Sequence, residues 1–248
     1  MNVAERLVHD HRARHRFEPF AAACGISTVA QAYAAQRDFV ALRTGDAPVV
    51  GYKVGLTSQA MQAQCGLDAP VSGIITAANV LQSPAILALK DFVRLGVEIE
   101  IAVRLKRDVA PGDDIGAAID GVAPAMEIID NRNCDFAMLD GLSFIADNGW
   151  HEAIVLGQWV RVWPDLAGVR AALSDGDGEI ACGSGRAALG HPFASVAWLG
   201  DNLARHGGRL RAGDIVMTGN LIKGQFPDRP AAYRYTAEGL GSVACDVI

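Results

Sequence analysis

The sequence predicts an α+β fold, with helices first and then a large, mostly antiparallel sheet. Two observations carry this expectation. Apolar residues recur at helical spacing through the first 44 positions, and from Val49 onward the pattern changes to short runs separated by Gly, Pro and Asp clusters. No internal repeat or low-complexity linker interrupts the 248 residues. The division is therefore a helical part over 1–48 and a β-rich part over 49–248, built as one integrated unit.

Taken in order, residues 2–16 read as a helix with Ala4, Leu7 and Val8 on one face. Ser27 or Thr28 caps a second helix through residue 44, where Val29, Ala32, Tyr33, Phe39 and Leu42 recur at helical spacing. Gly45-Asp46-Ala47-Pro48 stops it. Strands are expected over 49–55, 92–106, 125–130, 153–162, 178–183, 213–218 and 241–248. Helices are expected over 58–65, 115–118 and 192–206. In the last, Pro192 suits the first turn and Val196, Leu199 and Leu203 supply an apolar stripe.

Composition excludes several classes. Hydrophobic residues make up 50% and charged residues 20%, an ordinary globular balance. A net charge of −6 argues against a general nucleic-acid binder, which needs a basic face. The basic stretch His9 to Arg16 reads as a solvated helix face or a subunit contact. Five scattered cysteines (24, 65, 134, 182 and 245) form no C-x-x-C pair, so neither a disulfide scaffold nor a zinc site is indicated. There is no signal-peptide stretch and no run of 18 uncharged apolar residues, so no membrane span is expected and a cytoplasmic location is.

Residues 96–105 are the most informative stretch. Val97, Ile99, Ile101, Val103 and Leu105 alternate with Glu98, Glu100, Ala102 and Arg104, the period of a strand. Glu98 and Glu100 then leave the same face, about 6.5–7 Å apart at Cα. Paired carboxylates repel unless a cation lies between them, and a hard divalent ion takes such oxygens. A solvated polar stripe completed by Arg104 and Lys106 is the alternative reading. Glu127 stands inside an apolar run with Met126, Ile128 and Ile129, where an unpaired charge is costly. Either Arg132 or Asp130 satisfies it, or it completes a three-carboxylate site with Glu98 and Glu100. Lys53, flanked by Val50, Val54 and two glycines, is either a lysine reaching out from a strand end or a proton-transfer group.

Seven segments occur here in a telling order: Tyr52-Lys53-Val54-Gly55-Leu56-Thr57-Ser58, Glu98-Ile99-Glu100, Pro124-Ala125-Met126-Glu127, Ala146-Asp147-Asn148, Leu189-Gly190-His191-Pro192, 212–219 and 239–243. From about residue 25 to the C-terminus the chain resembles the 2-keto-4-pentenoate hydratases and 4-oxalocrotonate decarboxylases of the fumarylacetoacetate-hydrolase superfamily. The resemblance implies a small helical part followed by a β-sandwich or rolled barrel with a metal at its mouth. It implies Mg²⁺ or Mn²⁺ on Glu98, Glu100 and Glu127, and Lys53 as the proton-transfer residue. Thr57, Ser58, Asp147, Asn148 and Thr218 are the expected substrate contacts. The implied substrate is a small 2-oxo acid or 2-hydroxydienoate of aromatic (meta-cleavage) catabolism, and the implied assembly is a homo-oligomer, with helix 192–206 one candidate contact surface.

Three departures refine the reading. No histidine lies between His15 and His151, which disfavours the hydrolases of the superfamily with their histidine before the carboxylate pair. Gly149-Trp150 follows Asp147-Asn148 where the family continues with small residues, so the loop or the pocket is reshaped. Val71 stands where hydratases of this resemblance carry an acid and decarboxylases an aliphatic residue. A 2-keto-4-pentenoate-type hydratase is the first expectation. A 4-oxalocrotonate-type decarboxylase and a non-catalytic relative that binds metal and 2-oxo acid are the alternatives.

Overall fold

The computed structural model of the protein describes residues 1–176 and 178–248. Helices α1 (Val3–Arg12) and α2 (Val29–Thr44) come first, each opened by a reciprocal capping box. Asn2 pairs with Glu5 in one, and Thr28, rather than Ser27, pairs with Gln31 in the other. The chain continues through β1 (Val49–Gly55), α3 (Gln59–Gln64), β2 (Val71–Thr76), β3 (Val80–Gln82), β4 (Ala85–Leu87) and β5 (Leu95–Leu105). Next come α4 (Ile115–Ala118), β6 (Ile119–Asp130), α5 (Gly141–Ala146), β7 (His151–Leu156), β8 (Arg170–Asp175) and β9 (Glu179–Ser184). It ends with α6 (Pro192–Arg205), β10 (Ile215–Met217), β11 (Ala231–Ala237) and β12 (Gly241–Val247).

Two mixed sheets form. One runs β2-β1-β10-β5-β6-β7-β3 and the other β4-β12-β11-β8-β9, with three parallel pairings, β1–β10, β3–β7 and β12–β4. The odd-numbered apolar residues of β5 face the second sheet. Ile99 and Ile101 share one core with Met126, Leu173, Tyr235 and Val243. The even-numbered face turns inward on its own sheet. Ile75 of β2 and Ile154 of β7, from opposite ends of that sheet, pack in one cluster with Ala102, Ala125 and Met217 from its centre. Such contact requires the sheet to roll up. The roll is fastened by a side chain: Asn148, just before β7, accepts from Ile74 N at 2.7 Å and donates to Ile74 O at 2.9 Å, on the edge of β2. Helices α1, α2 and α5 cover this end, sharing a core with Val71, Ile74, Ile129 and Trp150.

Several expectations are corrected. The strand foreseen over 153–162 stops at Leu156, because Gly157 turns back to bond Pro124 O at 2.9 Å and only Val160 pairs again, with Val122. Strands β2, β3, β4, β8 and β11 and helix α5 were not foreseen. Two members of the apolar stripe of α6, Val196 and Leu199, face inward and are fully buried in the main core, while Leu203 is half-buried at its edge. All five cysteines are free, and no helix among the described residues is long and apolar enough to cross a membrane.

Candidate metal centre

Inside the roll, register does what spacing alone could not. Glu98 on β5 stands directly opposite Glu127 on β6, and Glu100 follows two residues along the same face. One oxygen from each lies within 4.8 Å of the others. Glu100 and Glu127 are 0% and 1% exposed, and Glu98 is partly exposed. Each buried carboxylate has one oxygen anchored by protein. Glu100 Oε2 accepts from Gly219 N at 2.7 Å, while its Oε1 has no hydrogen-bond partner among the described residues. Glu127 Oε1 accepts from His151 Nδ1 at 2.8 Å and lies 3.2 Å from Lys53 Nζ.

The segment after β10 builds the other wall. Leu221 N donates to Ile99 O at 2.9 Å, and Gln225 exchanges backbone bonds with Val97, so 218–225 runs along the edge of β5. Its course brings Gly219 to Glu100 and Asn220 to Glu98. Gly219 adopts φ +111° and packs so closely on Thr57 that a Cβ would lie 2.5 Å from its methyl.

The electrostatics call for a cation. Burial, then the charge of Glu127, pushes Glu98 up to about 7, and burial with both neighbouring carboxylates raises Glu100 well above its ordinary range. Burial would raise Glu127 too, but the charge of Lys53 and the His151 hydrogen bond bring it below the ordinary value. Three carboxylates against one ammonium leave two negative charges unbalanced, which is the charge of a divalent ion. An all-oxygen donor set with an unpartnered buried oxygen fits a hard divalent ion such as Mg²⁺ or Mn²⁺.

Lys53 reaches the carboxylates from β1, beside Met217 of β10 and Gly73 of β2. Its Nζ donates to Gly149 O at 3.0 Å and lies 5.7 Å from the Phe144 ring centroid. The space beside it is bounded by Val71, whose Cγ2 and the lysine Nζ flank Gly55 together. Gly149 adopts φ +58°, and a Cβ there would meet the end of the lysine at 2.9 Å, so a side chain at this position would push the ammonium from its place.

The other expected site residues divide. Thr57 flanks the centre through Gly219. Ser58 is exposed and caps α3, accepting from Met61 N at 3.3 Å. Asp147, Asn148 and Thr218 were expected at substrate, and the fold claims all three side chains. Asp147 is buried between Arg132 and His11, the latter at 2.7 Å. Asn148 fastens the roll, and Thr218 Oγ1 donates to Ile101 O at 2.8 Å. Neither Arg132 nor Asp130 serves Glu127: the first binds Asp147, and the second accepts from the backbone of Val93 and Arg94 at 2.8 Å. The sequence reading missed His151 and Gly219. The available signal for the histidine was its place at the head of the run His-Glu-Ala-Ile-Val-Leu, beside the departure at Gly149-Trp150. Trp150 does not fill the site; it is buried against Phe17, Phe136 and Phe144.

Comparison with known proteins agrees with this geometry. The fumarylacetoacetate (FAA) hydrolase C-terminal family matches residues 53–248. A 2-keto-4-pentenoate hydratase of Paraburkholderia phymatum is 37% identical over 98% of this chain and 95% of its own length. A 4-oxalocrotonate decarboxylase of Pseudomonas putida is 34% identical over 79% of this chain and 77% of its own. The solved structure of a 4-oxalocrotonate decarboxylase from Pseudomonas putida G7, complexed with magnesium and adipate, superposes with a TM-score of 0.91 at 29% identity, covering 99% of this chain and 96% of that one. A rolled sheet carrying three converging carboxylates, a match over most of the chain and a near-complete superposition lead to one conclusion: this chain belongs to the fumarylacetoacetate hydrolase family.

Proposed function

We propose that the protein is a divalent-metal-dependent lyase for small 2-oxo acids, and specifically a 2-keto-4-pentenoate-type hydratase. The observation that carries this reading is the set of Glu98, Glu100 and Glu127, with the buried lysine on one of them. The three carboxylates would hold Mg²⁺ or Mn²⁺, which supplies a Lewis acid to polarise the 2-oxo group. Relatives named as hydratases and decarboxylases, and a solved neighbour complexed with magnesium and adipate, support the ion and the substrate class.

Lys53 moves a proton at C3 or C5 of the dienol. It is anchored by Gly149 O and stands beside apolar groups that keep stray water away. Thr57 and the backbone near Gly219 border the space for the substrate carboxylate. Hydration also needs a group to place water. Val71 cannot do so, Asp147 is tied to Arg132 and His11, and Ser72 Oγ accepts from Asn202 at 3.1 Å. We assign the task to Lys53 and to Asn220, which stands at Glu98 and whose Oδ1 accepts from Ile222 N at 3.3 Å. Assembly as a homo-oligomer belongs to the same reading, and light scattering checks it.

Val71 favours a second reading, the 4-oxalocrotonate-type decarboxylase, because loss of CO₂ needs no water-placing acid. The deciding experiment supplies Mg²⁺ with 2-hydroxypenta-2,4-dienoate or 4-oxalocrotonate and follows dienol absorbance and CO₂ release. CO₂ from the second substrate with no hydration of the first overturns the hydratase. Tight binding of both without turnover identifies a non-catalytic relative.

A further inference from the structure

The turn at Asn148, Gly149 and Trp150 has φ angles of 53°, 58° and 62°. Three left-handed residues in succession, two of them not glycine, persist only where their surroundings impose them. This turn delivers two groups to one ion pair. Gly149 O takes Lys53 Nζ at 3.0 Å, and the residue after the turn, His151, reaches Glu127 Oε1 at 2.8 Å. Lys53 Nζ stands 3.2 Å from that same oxygen.

His151 is only 3% exposed, and its Nε2 has no partner among the described residues. An ionised carboxylate only accepts, so the ring nitrogen facing it carries a proton. Both donors on Glu127 thus converge on Oε1. A carboxylate's terminal torsion is broad, so one contact from the lysine would not decide how the plane of the group is turned. The histidine, held at the head of β7 by the strained turn, does decide.

Resting on the divalent-metal reading above, we infer that His151 is the positioning residue of this centre. It holds Glu127 so that Oε1 serves the lysine while Oε2 is left for the cation. Hydrogen bonds that orient a ligating side chain govern metal affinity by about 10–100-fold. The loop that departs from the expected small-residue run therefore works as a clamp on both members of the Lys53–Glu127 pair.

The test titrates Mn²⁺ alone into metal-free, full-length protein by calorimetry, with circular dichroism to establish folding. His151→Ala is expected to bind Mn²⁺ roughly 10–100-fold more weakly than wild type. His151→Asn, whose amide N–H can stand where Nδ1 stands, is expected to recover most of that loss. Unchanged affinity in folded His151→Ala overturns the inference, as does a folded Asn variant that binds no better than the Ala variant. If His151→Ala does not fold, the Asn variant carries the test alone: near-wild-type affinity supports the clamp, and a loss of about tenfold or more overturns it. Failure of wild type itself to bind Mn²⁺, indistinguishable from Glu100→Gln, would sink the metal reading instead.

Discussion

Replacing Lys53 with methionine keeps an apolar stem and removes the ammonium. Lys53 and Glu127 are 2% and 1% exposed, with their charged atoms 3.2 Å apart. Removing one member of a buried pair costs about 3–5 kcal/mol, because the other charge is left without its partner. For a chain of this size each kcal/mol moves Tm by about 2–4 °C, so metal-free Lys53→Met should melt roughly 6–20 °C below wild type. Saturating Mg²⁺ or Mn²⁺ should return much of that loss, since the ion binds the folded state and neutralises the same carboxylates. Turnover should not return. Losing a general acid or base costs about 10²–10⁴ in rate, or about 2.7–5.4 kcal/mol of barrier. Scanning calorimetry with and without metal reads the first effect, and steady-state kinetics at saturating metal the second. A metal-free variant that melts like wild type refutes the ion pair, and full turnover refutes the proton-transfer role.

Three further outcomes are expected. Glu100→Gln should weaken Mg²⁺ or Mn²⁺ binding in calorimetric titration, because the amide replaces a charged oxygen that has no other partner; equal affinity would remove Glu100 from the ligand set. Asn148→Ala should cost about 2–5 kcal/mol in denaturant unfolding, as two buried backbone groups of Ile74 lose their partner; a raised KM at unchanged stability would restore the substrate contact. The last concerns His11, which joins Asp147 and Glu152. Burial would lower its pKa, but Asp147's charge and both hydrogen bonds raise it above 6.5, while Asp147 and Glu152 are held below 3.8 and 4.5. The raised histidine stabilises below 6.5 and loses that contribution as pH climbs through its folded value. The lowered acids lose theirs as pH falls through their folded values. The stability difference between wild type and His11→Ala should therefore peak between about pH 4.5 and 6.5 and shrink towards pH 9; a flat difference contradicts the assignment.

The parts of this molecule written in local patterns were legible before folding. Strand 96–105 alternates cleanly, and its carboxylates emerge on one face as the period requires. The cap of α2 stands where its hydroxyls predict, at Thr28. What depends on register or closure was not legible. Nothing in the spacing of Glu98 and Glu127 places them opposite one another, and nothing near Lys53 says that β1 curls over to β6. Strand β2 escaped because it is buried on both faces, so Val-Ser-Gly-Ile-Ile-Thr shows no alternation. Strand β11 was readable, with Tyr233 and Tyr235 inward and Arg234 and Thr236 outward, and was overlooked. Asp147, Asn148 and Thr218 share one difficulty: a polar side chain beside a site can be engaged by other side chains, as Asp147 is, or by the backbone, as Asn148 and Thr218 are, and only the fold reveals which.

The roll is closed at Ile74 by an amide side chain, and this gives the protein a built-in reporter. In most of the sheet an amide proton is shielded by a neighbouring strand and becomes reachable only when a whole ladder separates. The Ile74 N–H is shielded by Asn148 alone, whose residue begins the same turn that touches Lys53. Whenever that turn lifts, this one proton meets solvent while those of Gly73 and Ile75 on either side, facing β1, stay protected. Deuterium uptake at a single amide thus counts the excursions of the loop beside the lysine, and slower uptake on adding divalent ion or a 2-oxo acid would measure how firmly each holds the loop down.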